Sequence, residues 1–311
     1  MKAGHIFRNV LGLLVIGGLL TGCPFSKQDS RVSSSEEKII LRLSDSQPEG
    51  FATVLADRKF AQEVAQKTKG RIVIQVYPSG QLGSEKDVLQ QIQFGAIDAC
   101  RIGAASLADF NKTIGVRALP YIFTSTDQMF RVLDGAIGDT LLKDLQANSR
   151  FVGLCWMDAG ARSFYTTGKQ VKVPEDLKGM KIRVQQSEAM IDLVKAFGAS
   201  PSPIDSNDAY SALQSGVIDG AENNFPTFVA LNHYMVCRYF IEDEHSRLPE
   251  MILFGTMSYD KLTANDQKIL KDCAVDAGMY EREEWRKQEL AAEKKATDAG
   301  VVVTKVTDKT P

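Results

Sequence analysis

Arg71-Ile-Val-Ile-Gln-Val-Tyr77-Pro-Ser-Gly80, then Ser84-Glu-Lys-Asp87, then Ala96-Ile-Asp-Ala-Cys-Arg-Ile102 is the stretch that decides the fold. Its first run is short, apolar and β-branched, and Pro78-Ser-Gly closes it as a turn closes a strand. Ser84 with Asp87 resembles a capping box that starts a helix running to Phe94, and Gly95 stops it. Ala96 to Ile102 is a strand again. On the N-terminal side, Ile39 to Leu43 alternates like a strand, and Gly50 to Lys69 places Leu55, Phe60, Ala61, Val64 and Ala65 at helical spacing before Gly70. A helix of this pattern ends at a glycine free to take left-handed torsions. Strand and helix alternate, which predicts an α/β lobe around a largely parallel sheet.

Further along, Ser125 to Gln146 reads as one helix and Phe151 to Met157 as a strand buried on both faces. Near Gly160 the alternation starts afresh. Pro174-Glu-Asp-Leu is a helical turn, Lys181 to Val184 a strand, and Ser187 to Phe197 and Ser206 to Gln214 are helical. Val236 to Glu242 and Met251 to Met257 are apolar runs that carry the chain back between two lobes. Thr263 caps a helical stretch that lasts to Gly300. About 36 residues at 1.5 Å each span roughly 54 Å, more than one small lobe. The expected division is residues 38–159 with 248–285 in one lobe and 160–247 with 286–311 in the other.

The N-terminus reads as an export signal in residues 1–22. Lys2 and Arg8 precede an apolar run from Val10 to Leu20, and Leu20-Thr-Gly-Cys23 has the form of a lipobox, so Cys23 is the expected lipidation site. Eleven or so apolar residues are too few to cross a bilayer, which takes about twenty. Residues 23–37 are polar and serine-rich, the composition of a tether. The full chain carries a net charge of -2; removing Lys2 and Arg8 with the leader brings it to about -4, with no basic run to suit nucleic acid. Cys100, Cys155, Cys237 and Cys273 remain. Cys100 and Cys155 sit in apolar strand-like runs, where a buried thiol behaves as a small hydrophobe, and free thiols are expected.

Asp176-Leu-Lys-Gly-Met-Lys-Ile-Arg183 ends a short strand in an arginine, and Ala212 to Pro226 ends a helix-turn-strand unit in Glu-Asn223-Asn224. A guanidinium fits a carboxylate with two parallel hydrogen bonds and stays charged when buried. These segments suit a pocket for an organic acid. With Gly160-Ala-Arg162-Ser-Phe-Tyr and Gly80-Gln-Leu-Gly-Ser-Glu85 they closely resemble the solute-binding proteins of TRAP transporters, in order from about residue 38 to 300. Glu-Asn-Asn before Pro226, and Glu244-His-Ser before Pro249-Glu250, look most like the binders of sugar acids such as hexuronates.

That resemblance implies a monomeric, two-lobed periplasmic binding fold with crossing hinge strands and a long C-terminal helix bridging both lobes. It implies a lipid-anchored periplasmic protein that hands its ligand to the small and large membrane subunits of a TRAP transporter. Arg183 and Arg162 match the family's carboxylate-pairing arginines, and Asn223 its ligand-contacting asparagine. Asn224, Glu85, Arg101, His245 and Gln47, the last in the loop Ser44 to Glu49, are the other candidates. Ser206 stands where the family often has an aromatic wall. C4-dicarboxylates stay open as the ligand class, and a tethered sensor or an exported sugar-acid enzyme as the role. Nucleophile-elbow, zincin, P-loop and dinucleotide motifs are absent from the sequence. His233 and His245 are not spaced as metal ligands, so neither catalysis, a metal nor a cofactor is expected.

Overall fold

The structure, a computed structural model, describes residues 37–306. The expected export signal, Cys23, the expected tether up to residue 36 and residues 307–311 lie outside the described residues. Within them the strands are β1 (Ile39–Ser44), β2 (Ile72–Tyr77), β3 (Ala99–Gly103), β4 (Phe151–Gly153), β5 (Ala161–Thr166), β6 (Lys181–Val184), β7 (Ser200–Pro203), β8 (Gly220–Asn223), β9 (Tyr239–Arg247), β10 (Glu250–Gly255) and β11 (Val302–Lys305). They form two sheets, ordered β2-β1-β3-β10-β4 and β11-β9-β5-β8-β6-β7. In the first, β1 runs parallel to β2 and β3, and β10 runs antiparallel to β3 and β4. In the second, β6 is parallel to β7 and β8, while β5 is antiparallel to β8 and β9. The α/β, two-lobed reading of the sequence holds.

Each sheet packs helices on apolar faces. Phe60 and Val64 of the helix Ala52–Lys67 meet Leu43, Ile72 and Phe254 of the first sheet, all fully buried. Side chains of this size contribute roughly 1.5–3 kcal/mol each on burial. The second sheet buries Tyr165 and Phe240 against Phe228. The helix Ala264–Asp298 joins both cores: Leu270, Cys273, Ala274 and Ala277 belong to the first, Ala292 and Ala296 to the second. Thr263 caps it by accepting the Asp266 N–H, and Gly300 follows it with φ +87°.

The chain passes between the sheets at Leu154–Gly160 and again at Leu248–Pro249, before the long helix. The first passage runs beside β10, with the Leu154 N–H donated to the Ile252 carbonyl and Met157 bridging Glu250. So the strand expected over Phe151 to Met157 is regular only as far as Gly153.

The helix expected over Ser125 to Gln146 is two helices, Thr126–Leu133 and Ala136–Asn148. Gly135 is extended at the break, and Gly138 lies so close to the first helix that a Cβ there would fall 1.8 Å from the Leu133 carbonyl oxygen. Only glycine allows that approach. The sheets are less parallel than the alternation suggested, because β10 returns through the first from the other direction. Cys100, Cys155, Cys237 and Cys273 are buried free thiols.

Candidate ligand-binding site

Between the two sheets lies a cleft of about 590 Å³ not filled by protein atoms, its open mouth included. That is within the range of small-molecule sites. Its second-lobe wall comes from the ends of β5, β6 and β8. Arg183 sits on β6, and Asn223 ends β8 opposite Ser163 of β5. The β5–β9 register shifts between Arg162 and Phe164, and such a bulge re-aims a side chain. Here the re-aimed residue is Arg162. Arg162, Arg183 and Asn223 all line the cleft and are 4–5% exposed.

The two arginines are in opposite circumstances. Arg162 grips Glu222 with Nε to Oε2 (2.6 Å) and Nη2 to Oε1 (2.9 Å), and also reaches the Glu222 carbonyl (2.9 Å) and Asn223 Oδ1 (2.9 Å). One of its five N–H groups remains free. Arg183 donates Nε–H to the Ile204 carbonyl (2.8 Å), and among the described residues its two terminal nitrogens have no partner and its charge no carboxylate within ion-pair distance. Burial pushes its guanidinium below the ordinary arginine range, opposed by the charge on Glu222. A buried cation left without a counter-charge costs several kcal/mol. This geometry suits an anion in the cleft. Asn223 accepts with Oδ1 from Arg162 and the Asn224 N–H, and among the described residues its amide nitrogen has no hydrogen-bond partner.

Behind this wall runs a relay of alternating charge. Glu222 is fully buried, and His245 Nε2 stands 3.6 Å from its Oε2 while Nδ1 bonds Asp243 Oδ2 at 2.8 Å. His245 also packs on the Phe164 ring, with centroids 4.4 Å apart. Burial disfavours an imidazolium here, but Asp243 and Glu222 together raise His245 to about 9. Burial likewise works against the Glu222 carboxylate, yet Arg162 and His245 hold it down to about 2. His245 is therefore a correction. It does not line the cleft and cannot meet a ligand's hydroxyls; it neutralises the carboxylate that holds Arg162.

The first-lobe wall is built from the loop after β1, from β3 and from the start of the helix Glu85–Gln93. Arg101, on β3 and 2% exposed, spends all five N–H groups on Asp45 Oδ1 (3.1 and 2.5 Å), Glu85 Oε1 (3.1 Å), Glu250 Oε1 (3.1 Å) and Ser46 Oγ (2.7 Å). It lines the cleft but has no donor left for a ligand, so it acts by fixing the three carboxylates around it. Glu85 is further held by the Ser46 and Ser106 hydroxyls. Burial raises Glu250 to about 7, against the pull of Arg101. Gln47 lines the cleft with a buried Oε1 that has no partner, as does Gln185 Oε1 and Thr227 Oγ1 from the other wall. Lys86 is also in the lining but stands exposed at the rim.

Asn224 is in the lining too: Oδ1 caps the helix Phe225–Ala230 through the Thr227 N–H (2.7 Å), and one N–H of Nδ2 holds the Ala159 carbonyl (3.0 Å), which leaves its second N–H unspent. Ser206 is in the lining where an aromatic would have stood. Glu222 and Glu250 were missed as parts of the site. Glu222 sits among Asp219, Asn223 and Asn224, so no apolar run in the sequence marks it as buried.

A profile of the bacterial extracellular solute-binding proteins of family 7, DctP, matches residues 43–310. The chain belongs to that family. It is a TRAP-transporter solute-binding protein, extracytoplasmic as the family is, and among the described residues no helix is long and apolar enough to cross a membrane. A solute-binding protein of Chromohalobacter salexigens is 34% identical over 84% of this chain and 78% of its own length. The crystal structure of a TRAP periplasmic solute-binding protein from Xanthobacter autotrophicus with bound β-D-galacturonate superposes with a TM-score of 0.85 at 38% identity, over 87% of this chain and 90% of that one. One from Citrobacter koseri with bound D-glucuronate gives 0.84 at 39% identity, over 87% and 90%.

The buried relay gives this DctP protein a defined pH profile. His245 is raised from 6.5 to about 9 and Glu250 from 4.5 to about 7. Their contributions are greatest below the unfolded values and are lost as pH rises towards the folded ones. Glu222 is lowered from 4.5 to about 2, so its contribution is lost as pH falls through that window. The thermal midpoint should peak at mildly acidic pH, decline towards about pH 9 and drop steeply below about pH 4. Calorimetric melts across that range check it; a maximum on the alkaline side contradicts the relay.

Proposed function

We propose that this chain captures a hexuronate-type sugar acid in the cleft and delivers it, with the lobes closed, to the membrane subunits of a TRAP transporter. The observation that carries the reading is Arg183, a buried guanidinium whose terminal nitrogens face the cleft unpaired. Its natural complement is a carboxylate, joined by the remaining Arg162 N–H and the Asn223 amide. The opposite wall decides what the rest of the ligand is. Glu85, Glu250 and Gln47 Oε1 present acceptors, which suit hydroxyl groups. A second carboxylate would meet those acids with only Lys86 at the rim to balance it, so a C4-dicarboxylate fits poorly. The neighbours with bound galacturonate and glucuronate support the same class.

Contacts from both walls favour the closed state, and the passages at Leu154–Gly160 and Leu248–Pro249 serve as the hinge between lobes 38–159 with 248–285 and 160–247 with 286–311. No chemistry beyond binding is part of this reading. Cys23 anchors the protein by lipid, and the residues that follow it are the tether. A dissociation constant near 1 μM corresponds to about -8 kcal/mol. D-glucuronate and D-galacturonate at about 1,000 times that constant should then stabilise the protein by about 4 kcal/mol in a thermal-shift assay. Succinate and malate should leave the midpoint unmoved. A shift with the dicarboxylates and none with either uronate would reverse the assignment.

A further inference from the structure

Where the first passage between the sheets crosses the long helix, two acids are buried face to face. Asp158 and Glu281 are 2% and 0% exposed, and Glu281 Oε2 accepts the Asp158 backbone N–H at 2.9 Å. Glu281 Oε1 is buried with no partner. Asp158 Oδ1 takes the Gly160 N–H at 2.9 Å. Gly160, at φ +59°, is pressed on the next turns of the helix: a Cβ there would fall 2.7 Å from Glu289 Oε1 and 3.0 Å from Trp285 Nε1.

The nearby cations pair with other acids, although Arg282 Nε is buried without a partner. Arg282 is forked onto Asp134 (2.7 and 2.8 Å) and the Trp156 carbonyl. Arg247, on β9, is paired with Glu244 at 2.8 Å. Glu250, from β10, adds negative charge to this region and is held by Arg101. Among the described residues no cation pairs with Glu281 and only the charge of Arg282 opposes its burial, so an ionised Glu281 would be a poorly compensated buried anion.

We propose that lobe closure is proton-linked: the closed hinge seals a proton onto Glu281, and opening, which lifts Asp158–Gly160 off the long helix, releases it to solvent. The segment belongs to the first passage between the sheets, and Glu281 anchors it through the Asp158 N–H. Burial, then the Asp158 charge, pushes Glu281 well above the ordinary carboxyl range. Burial raises Asp158 as well, and burial followed by Asp158 takes Glu289 to about 7. Solute capture then takes up protons, and mild acidity favours the closed form.

Calorimetry of D-glucuronate binding near pH 7, in two buffers of different ionisation enthalpy, counts those protons. The wild-type chain should take up a fraction of a proton, and Glu281→Gln, which keeps the acceptor for the Asp158 N–H, should bind with that uptake at least about halved. Asp158→Asn should reduce it in the same sense and serves if the first variant does not fold. Ligand-free melts from about pH 5 to 8, followed by the fluorescence of Trp156 and Trp285, the chain's two tryptophans, read the proton held on Glu281 in the folded chain without any solute. Their midpoint should fall with pH in the wild type and more gently in Glu281→Gln. Equal proton uptake in the two proteins, or parallel melting profiles, overturns the proposal. An absence of binding heat with D-glucuronate speaks against the sugar-acid reading, and the ligand-free melts still test the proton on Glu281 that the proposal requires.

Discussion

Replacing Arg183 with alanine should weaken sugar-acid binding by about 30-fold to several thousand-fold, the range for removing one partner of a buried charge pair at about 2–5 kcal/mol. The same replacement should raise the melting temperature of the ligand-free protein. Both effects come from one fact. Arg183 is 4% exposed, and among the described residues only the Ile204 carbonyl accepts from it. In the empty protein it is a buried charge held against its own desolvation. A ligand carboxylate relieves that cost, so the site is strained when empty and satisfied when full. Lysine at this position keeps the charge but loses the forked geometry, and its affinity should fall between the two. Titration calorimetry paired with ligand-free melting tests both halves. Affinity within about threefold of wild type, or an alanine variant that melts earlier without ligand, would remove Arg183 from its assigned role.

Glu222→Ala should cost about 3–5 kcal/mol of folding stability, the range for breaking a buried ion pair from one side. Glu222 is the carboxylate between Arg162 and His245, with Arg183 close enough to feel its charge. Its loss leaves Arg162 and Arg183 buried in one wall with no acid between them, while His245 keeps only Asp243. Glu222→Gln retains the shape and one acceptor and should cost less. Urea denaturation of both variants is the measurement. An alanine variant within about 1 kcal/mol of wild type would mean that water reaches this wall and that the charges are not sealed in. Unlike Arg183→Ala, this change should lower stability and affinity together, and the pair of variants separates the residue that meets the ligand from the one that prepares the wall.

Local signals in the chain were readable where a single residue carried them. Ser84 and Thr263 cap their helices as expected because an N-cap is a short-range hydrogen bond. The alternation of strands and helices gave the two-lobed α/β class for the same reason. Satisfaction was not readable. Arg101 has the right chemistry for a ligand, but its donors are consumed by partners up to 149 residues away, and Asn224 gives one of its two amide N–H groups to Ala159. Glu222 and His245 form a working pair only once β5, β8 and β9 lie side by side. The helix break at Gly135 to Gly138 also depended on a packing distance that no propensity expresses. Glu281 was hidden by its surroundings in the sequence, a stretch rich in charge where most such residues are solvated.

Both sheets are finished by late segments: β10 enters the first, β11 closes the edge of the second, and the helix Ala264–Asp298 completes both cores. A ribosome must therefore add more than four-fifths of the residues before either half can reach its native state. Until then the nascent polypeptide holds unfinished sheets and uncovered apolar faces, a form that binds chaperones and that a secretion channel can thread. For a protein that works outside the cytoplasm, this wiring of strands postpones maturation until translocation is nearly done.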